Sequence, residues 1–107
     1  MADILAVTTT TDDPEAAAAL ARSAVAAHLA ACAQVDGPIT SVYRWQGGVE
    51  TAREWRVVLK TTADRYPALE AHLRAGHAYE VPEVVAVPVV AGSADYLAWV
   101  RAGTAAD

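Results

Sequence analysis

The large apolar side chains fall in short, separated runs whose period changes from strand-like to helix-like and back. Ile4 to Thr10 is an apolar and β-branched run that reads as a buried strand and ends in threonine and aspartate. Asp12 stands three residues before Glu15, a capping-box spacing, and Pro14 falls in the first turn, where a missing N–H is harmless. A helix is therefore predicted over Pro14 to Ala31. Along it Leu20, Ala24, Ala27 and Ala31 recur at helical spacing beside Val25 and Leu29, giving one apolar face whose small alanines let it sit close to a sheet.

Beyond Asp36-Gly37-Pro38 the period becomes two. Ile39 to Trp45 is rich in β-formers, and in Glu50 to Thr61 the residues Trp55, Val57 and Leu59 alternate with Glu54, Arg56 and Lys60. Gly47 and Gly48 between these runs suit a tight primed turn, so the middle of the chain is predicted to be a β-hairpin. With those glycines as the turn, Trp45 falls near Glu50 and Tyr43 near Ala52, which puts both aromatics on one face with Glu50, Glu54, Arg56 and Lys60. Asp64 to Ala75 carries Tyr66, Leu69 and Leu73 on one helical stripe, and Gly76 is placed to close that helix in a left-handed conformation. Val84 to Val90 reads as a last strand, an edge or bulged one because of Pro88. Ser93 then caps a short helix presenting Tyr96, Leu97, Trp99 and Val100.

Strand, helix, strand, strand, helix, strand and a final helix is the order of a ferredoxin-like split βαβ. This α+β fold has a four-stranded antiparallel sheet with helices on one face, here βαββαβ plus a C-terminal helix. The opposite, mixed aromatic and charged face would be left to water in a monomer, so self-association is expected.

Length and composition narrow this further. A chain of 107 residues with 54% hydrophobic and 20% charged residues fits one globular domain, 1–107, and no linker or repeat interrupts it. Thirteen acidic against eight basic residues, a net charge of -5, would repel phosphate backbones and anionic membrane surfaces, so neither nucleic acid nor membrane is an expected partner. A single cysteine, Cys32, cannot pair internally, and Asp3 leaves no basic-then-apolar leader; together they predict a reducing cytoplasm.

The runs Leu29-Ala30-Ala31-Cys32-Ala33, Ile39 to Gly47, Lys60-Thr61, Tyr79-Glu80-Val81-Pro82-Glu83 and Tyr96-Leu97-Ala98-Trp99 resemble, in order and spacing, successive motifs of the divalent-cation tolerance (CutA) family. The resemblance covers nearly the whole chain. It implies a ferredoxin-like fold, a tight homotrimer like that of the PII signalling proteins, and an association with tolerance to copper and other divalent metals, without an established reaction. Some members carry a cysteine where this chain has Thr9 and a histidine pair where it has Gly76 and His77; a usual proline is Ala78, which loosens that loop.

Candidate chemistry follows the same residues. His77 with Glu80 and Glu83 is an imidazole and carboxylate set suited to weak binding of Cu(II) or another divalent metal, and no other cofactor is implied. Tyr43, Trp45, Glu54, Lys60, Tyr79 and Trp99 combine aromatic walls with a few charges, a composition that suits a small-molecule cleft between subunits and equally a trimer interface. His28 and His72 lack an i to i+4 partner and read as solvated or structural, and Cys32 as a small packed thiol. No glycine-rich phosphate loop and no nucleophile–base spacing is present, so no enzyme is expected.

Overall fold

The computed structural model describes residues 3–105, so residues 1–2 and 106–107 of the expected domain lie outside the described residues. The elements run β1 (Ile4–Thr11), α1 (Pro14–Ala26), β2 (Cys32–Trp45), β3 (Gly48–Thr62), α2 (Tyr66–Ala75), β4 (Val84–Pro88) and α3 (Ala94–Gly103). The sheet order is β2-β3-β1-β4, every pairing antiparallel, as the split βαβ reading expects.

Strand alternation decides where the core sits. Val7 opposes Leu59 on β3, and both, with Val57, pack under Ala17, Leu20 and Ala24 of α1 and Leu69 and Leu73 of α2. Fully burying a leucine is worth roughly 1.5–3 kcal/mol, so Leu59, Leu69 and Leu73 are the main anchors of this layer. The two helices run antiparallel: Ser23 Oγ lies 2.9 Å from His72 Nε2, and Arg65 donates to the His28 carbonyl at 3.3 Å.

Several local expectations are corrected. The cap of α1 is Asp13, whose carboxylate accepts from the Glu15 N–H at 3.1 Å, rather than Asp12. The helix ends at Ala26 instead of Ala31, because His28 adopts φ 61° and the Leu29 and His28 N–H groups donate to the Ala24 and Val25 carbonyls. That is a Schellman closure with histidine in the seat glycine usually takes. Gly76, by contrast, closes α2 at φ -92°, without left-handed geometry. The hairpin turn is Gln46-Gly47, both at positive φ, so Trp45 opposes Gly48 and Tyr43 opposes Glu50. This shifts the expected register by two residues and, being an even shift, leaves every side chain on its expected face.

The face away from α1 and α2 is covered at one end. There α3 buries Val100 and Thr104, the Tyr96 hydroxyl meets Cys32 Sγ at 3.3 Å, and Arg101 holds Asp3 through two bonds of 2.8 and 3.2 Å. Cys32 and Lys60 are cross-strand partners under this helix. At the other end β3 outruns β1, which pairs only with Trp55 to Thr62, so the outer parts of β2 and β3 form a two-stranded arm. No helix among the described residues is long and apolar enough to cross a membrane.

Candidate functional site

At the root of this arm β2 carries one extra residue. Asp36 opposes Arg56 and Ile39 opposes Glu54, so three steps on β2 match two on β3, with Gly37 and Pro38 in the bulge. The bulge reverses which side chains of β2 face which way. Before it Cys32, Gln34 and Asp36 share a face with the even-numbered residues of β3; after it Ile39, Ser41, Tyr43 and Trp45 do. The aromatics thereby come to the same side as Glu54. Asp36 and Arg56 fasten the bulge through bonds of 3.2 and 2.9 Å, and the guanidinium holds the Asp36 carboxyl below the ordinary carboxylate value.

The segment between α2 and β4 folds back over this side. His77 Nε2 lies 2.7 Å from the Thr10 carbonyl, which accepts, and Nδ1 accepts from the Tyr79 N–H at 3.0 Å. The neutral Nε2–H tautomer satisfies both bonds, so the ring staples the loop to the end of β1. Its ring also packs against Tyr79, centroids 4.7 Å apart. The Tyr79 hydroxyl then donates to Glu54 Oε2 at 2.6 Å. Burial, reinforced by this carboxylate, pushes the Tyr79 phenol well above its usual range, so it stays a donor. Glu54 itself is only 6% exposed, an unusual position for a carboxylate.

Arm and loop enclose an open cleft of about 700 Å³, walled by Tyr43, Trp45 and Tyr79, with Glu54 at its base and Glu80 and Glu83 on the loop side. Four of the six residues expected to line a cleft, Tyr43, Trp45, Glu54 and Tyr79, are thus brought together within a single chain. Lys60 and Trp99 are not. Lys60 lies six residues along β3 from Glu54, about 20 Å at a strand's rise, and Trp99 stacks on Tyr96 of α3. Thr10, Ser41, Val42, Arg44, Val81 and Pro82 also line the cleft and were not foreseen. The missing signal was the bulge at Gly37-Pro38, which brings the arm over the loop.

The expected metal trio does not converge: among the described residues no three His, Cys, Asp or Glu side chains form a group that could hold an ion. Glu80 and Glu83 join the cleft lining, whereas both His77 nitrogens are already bonded. Thr9, at the position where some relatives have cysteine, opposes Val57 on the face under the helices and is fully buried. Within one chain the donor set fits a firmly held metal poorly.

Comparison with known proteins places the chain. The divalent-cation tolerance protein CutA of Thermus thermophilus is 40% identical over 95 residues, covering 89% of this chain and 92% of its own. The chloroplastic CutA 1 of Oryza sativa is 39% identical over 100 residues, and this chain spans 56% of that protein's length. The crystal structure of CutA from Xylella fastidiosa superposes with a TM-score of 0.93 at 35% identity, covering 96% of this chain and 99% of its own. Because the model of the CutA1 divalent ion tolerance proteins matches residues 5–103, nearly every element described above, the chain belongs to that family.

Proposed function

We propose that the protein serves tolerance to divalent cations as a homotrimeric binding module rather than as a catalyst, and that its direct contact with Cu(II) is weak and runs through His77. The tolerance role is supported by relatives named for it, at 40% identity over most of the chain, and none of those names denotes a reaction. The observation that carries the weak-copper reading is the double engagement of His77: a metal must displace either the Thr10 carbonyl or the Tyr79 N–H to reach a ring nitrogen. Glu80, Glu83 or a neighbouring subunit would supply further donors. We place the protein in the cytoplasm, where a single unpaired thiol is at home, although one structural relative is described as periplasmic.

Copper titration of carefully demetallated protein tests this. Wild type is expected to bind weakly, and more weakly at mildly acidic than at neutral pH because a coordinating imidazole must be neutral, and His77→Ala is expected to bind weaker still. Tight binding unaffected by the substitution would remove His77 from the site and turn attention to Cys32.

A second reading, a trimer that binds a small molecule with no direct metal role, is favoured by the cleft. Its volume lies within the range of roughly 300–1,000 Å³ typical of ligand pockets, and it combines aromatic walls with a few placed charges.

A further inference from the structure

We propose that the cleft is a subsite for a small organic cation, a primary ammonium or guanidinium on a compact apolar body, taken through the buried carboxylate of Glu54; this rests on reading the cleft as a ligand site. A carboxylate in so buried a position needs donors for both oxygens. Tyr79 supplies one, to Oε2. Oε1 accepts from no described residue, and it is not sealed either, since the enclosed side-chain polar atoms without a partner are Thr9 Oγ1 and Arg65 Nε. It therefore keeps solvent contact, and because Glu54 lines the cleft we assign its free lone pairs to that space, where an N–H of a cationic ligand would complete them.

The surroundings favour the same chemistry. Glu54, Glu80 and Glu83 outnumber the one lining cation, Arg44, and Asp12 lies near enough to act on the Tyr79 hydroxyl. Arg56 adds little positive field because Asp36 already holds it in two bonds. An anion would meet this excess of carboxylates. A bare metal ion would lack converging donors, as no three such groups come together among the described residues. Tyr43 and Trp45, 44% and 40% exposed, offer ring faces to a cation and its apolar body. Val81 and Pro82 close the apolar side.

The test is calorimetric titration of the metal-free oligomer in EDTA buffer with n-butylamine and agmatine, against n-butanol as neutral isostere and AMP as anion, so that copper plays no part. The two cations are expected to bind and quench Trp45 fluorescence, a change absent in Trp45→Phe, and n-butanol is not. Glu54→Gln keeps an acceptor for Tyr79 and should weaken cation binding about tenfold or more, the scale of a charged hydrogen bond, with sedimentation and thermal unfolding unchanged. Should that variant misfold, the paired rim substitutions Glu80→Gln and Glu83→Gln should weaken binding severalfold. Binding of AMP without either cation overturns the ligand class and leaves the cleft reading standing. Heat from none of the probes, as when a neighbouring subunit fills the cleft, overturns both. Cation binding indifferent to Glu54→Gln and to the rim pair places the ligand elsewhere and overturns the assignment.

Discussion

Gly37 and Trp55 meet at the bulge, and their contact shows how little space the site leaves. A Cβ on Gly37 would stand 2.6 Å from Trp55 Cδ1 and 3.0 Å from the Glu54 carbonyl, and the residue is held at φ +152°. Alternation along β3 predicts Trp55 to fill the core. In the structure it is half-buried against the core's edge, so Trp55→Ala should cost about 2 kcal/mol, below the 3–5 of a fully buried tryptophan. Gly37→Ala should cost about 1–3 kcal/mol by overpacking. Urea unfolding of both single variants and the double variant should give less than the sum, because removing the indole removes the clash. Strict additivity would show that the two side chains do not share the space. At this scale the sequence disclosed residue types better than roles. His77 stood out as a ligand because an imidazole among carboxylates is a metal pattern, but nothing in its spacing says that Thr10, 67 residues earlier, supplies a carbonyl to it.

Elements were the most legible scale, because period and capping are local. The order of seven elements, the apolar stripe of α2 and the Ser93 cap of α3, which accepts from the Tyr96 N–H at 3.3 Å, could all be read from neighbouring residues. Two features could not. The end of α1 lacks glycine, and the bulge is a mismatch between two strands that neither carries alone. The clamp that fastens the bulge gives a test. Asp36 is held below 3.8 chiefly by its hydrogen bonds to Arg56, so its folded form binds a proton less readily than the unfolded chain does. The pair therefore stabilises the fold above the ordinary carboxylate value and loses its effect as pH falls below it. Asp36→Asn should be less stable than wild type at pH 7, by a small amount since both groups are exposed, and the two proteins should converge below about pH 3.8. A gap that persists unchanged into acid would mean the aspartate acts through backbone geometry at the bulge.

At the scale of the whole molecule the arm is the feature that one chain does not explain. Beyond Trp55, β3 pairs only with β2, and β2 is the outer strand of the sheet, so the arm is a two-stranded ribbon with a free edge. Such a ribbon alone is marginally stable in water, and a free edge of this length invites pairing with another chain. Its two faces differ. Tyr43, Trp45 and Glu54 share the cleft side, whereas strand alternation turns the side chains of Val42 and Val49, 66% and 68% exposed, to the other face, with Val42 also bordering the cleft. Valines that exposed on a ribbon without a second layer are what a neighbouring subunit would cover. The sequence argued for self-association from the aromatic face; the valine face is a second candidate, since the aromatic one borders the open cleft that it shares with the 79–83 loop. Sedimentation at micromolar concentration should give a particle of three times the 11.2 kDa chain mass. Val42→Asp with Val49→Asp, placing charge where the neighbour would pack, should shift that particle toward monomer and lower its unfolding temperature, while each single change should act in the same direction and less. A wild type that sediments mostly as monomer or dimer would refute the trimer. A double variant that stays trimeric would move the contact to the strand edge itself, where main-chain pairing is indifferent to what the valines become.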